Sequence, residues 1–195
     1  MRRRLFILCF TAVVAGCVTA DDLPPLMQVL DEQSGVTVEA TGEPYVLARD
    51  AAALAANTRD YLDLRLIEVD RMGKRTFLLS LVAFSTVDRH GEPSLTTPAL
   101  AKVRVRLGDR ATELEAVPEG DEARGLSARV FPRRNGQTGS AEYVVSQPFV
   151  RDLAAAREAD LSLEVGSDGD VRYEPWQPAE STLRGFVQKL LHGVG

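Results

Sequence analysis

A chain of 195 residues with 23 lysines and arginines against 28 aspartates and glutamates carries a net charge of -5. That balance argues against nucleic-acid binding, where release of condensed counterions rewards a basic surface. Two cysteines and two histidines leave little material for a disulfide framework or a structural zinc site, and the length suits one domain with its own hydrophobic core.

The chain starts with Met1-Arg2-Arg3-Arg4 and a hydrophobic stretch from Leu5 to Ala15, the basic and then apolar pattern of an export signal. The stretch is about half of the roughly 20 residues that a membrane-spanning helix needs, so cleavage is expected in place of a permanent span. It closes on Val14-Ala15-Gly16-Cys17, an aliphatic residue and two small ones before a cysteine, which resembles the lipobox of bacterial lipoproteins. The resemblance implies signal-peptidase cleavage between Gly16 and Cys17, diacylglycerol on the Cys17 thiol and a further acyl group, palmitate or similar, on its new amino group. Val18 follows where an aspartate would tend to retain such a protein in the inner membrane, so the expected location is the periplasmic face of the outer membrane. The alternative is an ordinary secretory signal cut after Ala20, which leaves a soluble periplasmic protein.

Cleavage at Cys17 would discard Cys9 and the three leading arginines. The remaining 20 basic and 28 acidic residues give -8, and no free thiol is left for catalysis. Residues 18–25 form a tether that reaches at most about 28 Å, so the domain is expected to stay close to its membrane. It is expected to have no cofactor and no metal.

Beyond the tether, Leu26 to Gln33 reads as a short helix and Val36 to Ala40 as a strand. Gly42-Glu43-Pro44 turns into a second strand at Tyr45 to Ala48, and Asp50 is placed to cap a helix over Ala51 to Ala56. Val69-Asp70-Arg71-Met72-Gly73 and Val87-Asp88-Arg89-His90-Gly91 repeat one pattern, each suited to a tight hairpin. Between them Phe77 to Val87 is apolar on both faces, which predicts a central strand. Tyr61 to Val69 pairs before it, with a change of apolar phase at Leu66 that predicts a bulge or twist. The run from Ala55 to Arg89 also looks similar to uncharacterised lipoproteins of proteobacteria, which implies no particular activity.

A second hairpin turns at Gly108-Asp109. Its register sets Val105 opposite Thr112 and Val103 opposite Leu114, with Arg104 opposite Glu113 and Lys102 opposite Glu115. Lys102, Arg104 and Arg106, which alone look like a basic ligand stripe, thereby become a compensated, solvated face. Leu126 to Phe131 and Ala141 to Ser146 read as strands joined by the loop Pro132 to Ser140. Pro148 starts a helix over Phe149 to Ala159. Leu161 to Val165 and Val171 to Tyr173 are strands about the turn Ser167 to Asp170, and Trp176 is expected to cover a sheet edge. After Pro178 a last helix carries Leu183, Phe186, Val187, Leu190 and Leu191 on one stripe, read as packing on the domain's own sheet; docking on a partner or membrane is the sharper alternative.

No Gly-X-Ser-X-Gly elbow, phosphate-cradling loop or His-Glu-X-X-His helix is present. Asp88, His90 and Ser94 share one turn, too close in sequence for a working triad. Asp168 and Asp170 are explained by their turn, and lack the full ligand set of a Ca²⁺ loop. Arg133 and Arg134 are the best candidates for contact with an anionic ligand or partner. The expectation is a mainly β, antiparallel, sandwich-like domain of seven to ten strands with two or three helices. Its role would be non-enzymatic binding or scaffolding in the envelope, towards a protein partner or a cell-wall or lipid ligand.

Overall fold

Short apolar runs separated by turns become strands here, ten of them, with two helices among the residues that the computed structural model describes: 26–50, 59–85, 95–118, 124–125, 136–166, 171–177 and 180–192. The strands are β1 (Leu26–Asp31), β2 (Val36–Thr41), β3 (Tyr45–Asp50), β4 (Arg59–Arg71), β5 (Lys74–Ser85), β6 (Lys102–Leu107), β7 (Arg110–Glu115), β8 (Gln137–Val145), β9 (Leu161–Val165) and β10 (Val171–Gln177). The helices are α1 (Gln147–Ala155) and α2 (Glu180–His192). The mainly β, sandwich-like architecture expected from the sequence is the one observed, and all named pairings are antiparallel.

The first element corrects the sequence reading, since Leu26 to Asp31 is a strand and not a helix. It pairs with β2 from Leu26↔Thr41 to Asp31↔Val36. The turn between them is set by Asp31, whose carboxylate accepts from the Gln33 amide (3.1 Å) and the Ser34 hydroxyl (2.8 Å), while Gly35 takes a left-handed φ of 67°.

The long strand β4 organises the sheet. One edge pairs with β5 without interruption from Asp60↔Ser85 to Arg71↔Lys74, so there is no bulge at Leu66 in that ladder. The other edge serves two strands in turn, β2 opposite residues 67–71 and β3 opposite residues 59–64. At the changeover, Arg65 donates to the carbonyls of Thr41 and Gly42 at 2.8 and 2.7 Å. The change of apolar phase arises because both faces are covered: Leu62, Leu64 and Leu66 enter the main core, while Ile67 and Val69 join Val36, Val38, Ala40 and Leu78 on the opposite face.

Strand β5 is central, as its two apolar faces predicted, with β8 on its second edge from Phe77↔Val145 onward. Strand β8 begins at Gln137, so the last residues expected in a loop belong to the sheet. Gly139 lies within it against a short 3-10 helix, Thr97–Leu100, and a Cβ there would sit 2.6 Å from backbone atoms of Thr96 and Thr97. Gly139→Ala is therefore expected to force backbone apart and lower stability by about 1–3 kcal/mol, measured as a shifted urea midpoint.

Strand β10 joins two halves. Val171–Tyr173 pair with β9, and Glu174 to Gln177 pair with β3 across a register shift. Beyond β9 come β6 and β7, whose hairpin has the register expected from Gly108-Asp109, residue for residue. Past β7 the chain returns to β8, where the Val117 amide donates to the Glu142 carbonyl at 2.8 Å. The sheet thus curls until its far end touches its beginning.

Inside the curl lie Leu64, Leu81 and Tyr143 from one side, Val105, Leu163 and Tyr173 from the other, and the buried faces of both helices. Helix α1 starts one residue before Pro148, capped by the Ser146 hydroxyl, which accepts from the Phe149 amide at 3.3 Å. It stops at Ala155, four residues earlier than expected, and a 3-10 turn at Glu158–Asp160 leads into β9. Leu183, Phe186 and Leu190 of α2 are buried in the domain's own core, the first of the two readings of that stripe, while Leu191 drifts out to 48% exposure. Trp176 stands in β10 itself and is not a cover over an edge.

Candidate functional site

On the face of the sheet opposite the helices, an open groove of about 480 Å³ runs across β4, β5 and β8. Register explains its lining. Val69 opposes Thr76, Ile67 opposes Leu78, and Leu78 opposes Val144, so alternate residues of three strands point to one side. Val117 and Pro118 close the wall after β7. Val144 is 55% exposed, an unusual state for a valine in mid-sheet.

The groove is ionic at both ends, with Glu142 opposite Ser80 of β5 and the Arg71↔Lys74 pair six residues away at the hairpin end. Arg124 is nearly buried and its guanidinium meets the Glu142 carboxylate, which is 1% exposed, with Nε donating to Oε2 at 3.2 Å. Arg71 donates to the Arg124 carbonyl at 3.1 Å. Gly125 adopts a φ of 78°, and a Cβ there would collide with the Arg71 guanidinium, so the glycine makes room for that side chain. Lys74 faces Arg71 across the hairpin end. Among the described residues no ion pair engages either Arg71 or Lys74.

The hairpin between them is a two-residue turn in which Met72 and Gly73 both have positive φ, 53° and 85°. Asp70 accepts from the Gly73 amide at 2.8 Å, as the Val-Asp-Arg-X-Gly pattern predicted. Met72 is 93% exposed. A left-handed conformation costs an ordinary L-residue roughly 1–2 kcal/mol, and Asn or Gly is the usual occupant.

On the outer face of β6 the charges are paired. Arg104 contacts Glu113 at 2.6 Å, and Lys102 contacts Glu115 at 3.5 Å. Sequence reasoning missed a third acid, Glu164 of β9, which binds Arg106 at 2.5 Å and Arg104 at 3.3 Å. Burial opposes ionisation of Glu164, but hydrogen bonds from Arg106 and Arg104 outweigh it and hold its pKa below the usual carboxylate range. A depressed folded-state pKa gives stability that is present above the unfolded value of about 4.3 and is lost as pH falls through the folded one. Glu164→Gln is therefore expected to lower stability at pH 7 and to converge with the parent chain in acid, which urea midpoints between pH 3 and 7 would show.

A second depression, about 390 Å³, is lined by Arg49, Arg59, Arg172, Glu174 and Trp176. Its cations are occupied: Arg49 bonds Asp60 at 2.9 Å, Arg172 meets Glu174 at 3.3 Å, and the Arg59 guanidinium lies 3.8 Å from the Trp176 ring centre.

Of the residues singled out from the sequence, Gly16, Cys17, Arg133 and Arg134 lie outside the described residues, as do Asp88, His90, Ser94, Asp168 and Asp170. The strand expected at Leu126 to Phe131, the helix at Ala51 to Ala56 and the second Val-Asp-Arg-X-Gly turn also lie outside them. Among the described residues no group of three or more His, Cys, Asp or Glu is placed to hold a metal, and no helix is long and apolar enough to cross a membrane. The groove was missed because its walls come from four separate stretches of chain. The available signal was the second apolar face of β5, which requires a covering or a ligand.

No family model matches the chain, and neither a curated protein nor a solved structure matches it.

Proposed function

We propose that this chain is an envelope lipoprotein, anchored through acylated Cys17 at the periplasmic face of the outer membrane, whose domain binds a ligand or partner without catalysing a reaction. The anchoring rests on Val14-Ala15-Gly16-Cys17 at the end of a basic and then apolar leader. The first strand starts at Leu26, so only a short tether separates the domain from the modified cysteine. Two acyl chains or more are needed for lasting attachment, since one chain binds a bilayer only marginally.

The binding role is supported by the groove, a concave apolar surface with two cations at one end and walls already formed by the sheet. This observation favours a small ligand over a protein docked on α2, where Leu183, Phe186 and Leu190 of the apolar stripe are buried in the core.

Metabolic labelling with an alkyne analogue of palmitate tests the anchor. The parent chain should take up label and sediment with outer membranes, and Cys17→Ser should abolish both. An unlabelled chain recovered in the soluble periplasmic fraction, with its new terminus after Ala20, would overturn it in favour of an ordinary secreted protein.

A further inference from the structure

The ligand class can be narrowed from the groove's two ends, resting on the membrane-proximal reading above. We propose that the groove takes the acyl chain of one anionic membrane lipid, with its phosphate held by Lys74 and Arg71. The walls supply apolar side chains from three directions, Val69 and Leu78 on the sheet, Val144 at the far strand, and Val117 with Pro118 at the side. A groove of about 480 Å³ falls within the range of small-ligand pockets, roughly 300–1,000 Å³.

Charge complementarity identifies the headgroup. On a chain of net charge -5, Arg71 and Lys74 oppose each other at one end of an apolar trough, and neither is neutralised by a carboxylate among the described residues. Lysine is rare in this chain, with Lys74, Lys102 and Lys189 its only three, and the other two are paired with Glu115 and Glu39 at 3.5 and 2.6 Å. A phosphate oxygen can accept from an ammonium and a guanidinium at once.

Met72 adds a separate observation. An apolar side chain stands 93% exposed between those two cations, in a backbone conformation that asparagine or glycine would adopt with less strain. The two-residue hairpin requires that conformation, so the choice of methionine for it motivates a functional reading of the exposed side chain. At the mouth of an acyl groove, Met72 is placed to touch the bilayer from which the lipid is drawn.

The test is native mass spectrometry of the chain extracted from membranes of the producing cells and titrated with lysophosphatidylglycerol, with lysophosphatidylcholine of the same chain length, or with glycerol phosphate. One lysophosphatidylglycerol per chain is expected, bound at least tenfold more tightly than the choline lipid, with no adduct of glycerol phosphate. Val144→Asp and Lys74→Glu both change exposed side chains, and each should weaken the complex at least tenfold while the far-ultraviolet circular dichroism is unchanged. Equal binding of both lipids, binding of glycerol phosphate as tight as the lipid, or indifference to either substitution overturns the proposal. Acylation of Cys17 read in the same spectra separates the two hypotheses: an acylated chain that takes up no lipid removes the groove ligand alone, and an unacylated chain that binds one removes the anchor alone.

Discussion

Arg124→Met is expected to destabilise the folded chain by about 3–5 kcal/mol, because it leaves the Glu142 carboxylate buried without its guanidinium. Glu142 is 1% exposed in the middle of β8, flanked by strand β5 on one side and by the Val117 bridge on the other. The pair itself need not be stabilising, since desolvating two ions offsets much of their attraction. The double substitution Arg124→Met with Glu142→Leu should therefore recover most of the loss. Urea denaturation of the parent, both single variants and the double variant closes the cycle, and equal destabilisation in single and double variants would show that the pair is not the cause.

Phe186→Ala should cost a similar amount, about 3–5 kcal/mol, by emptying a large ring volume from the core. Phe186 is 1% exposed on α2, between Leu183 and Leu190, which are also buried. For a chain of this size such a loss lowers the melting temperature by roughly 10 °C, readable by calorimetry. The same experiment separates a core helix from a docking one. A docking helix would lose association and keep its melting temperature, whereas Leu191→Ala, at a position 48% exposed, should leave both nearly unchanged.

The hairpin of β6 and β7 was legible in full because strict alternation and a Gly-Asp turn leave one possible register. The first strand was not. Leu26, Met27, Val29 and Leu30 satisfy a helical spacing as well as an extended one over so short a run, and pairing with β2 decides between them. The turn chemistry of Asp31, Ser34 and Gly35 was the available clue. At Leu66 the phase change predicts a bulge or twist, but the β4–β5 ladder runs through it uninterrupted, and its cause is burial of both faces of β4. Glu164 escaped notice as the partner of Arg104 because 60 positions separate them, and only the β6–β9 pairing brings them together. The groove is the same problem enlarged. Val69, Val117 and Val144 each look ordinary alone, and Arg71 and Lys74 look like a hairpin's polar flanks, until the sheet aligns them.

Strand β10 has a consequence for how the molecule is made. It holds β3 with one end and β9 with the other, partners on the order of a hundred residues apart in the chain. A ribosome delivers this strand, and α2 after it, only when most of the polypeptide has already emerged. Before that moment β3 has no neighbour on its outer edge, and the layer of β6, β7 and β9 meets the rest of the sheet through the Val117–Glu142 bridge and not through a paired strand. Such long-range closure slows folding. For a polypeptide that must be threaded through a translocation channel while still extended, as the proposed export route requires, a sheet that cannot be completed until the last eighth of the chain arrives is a built-in delay.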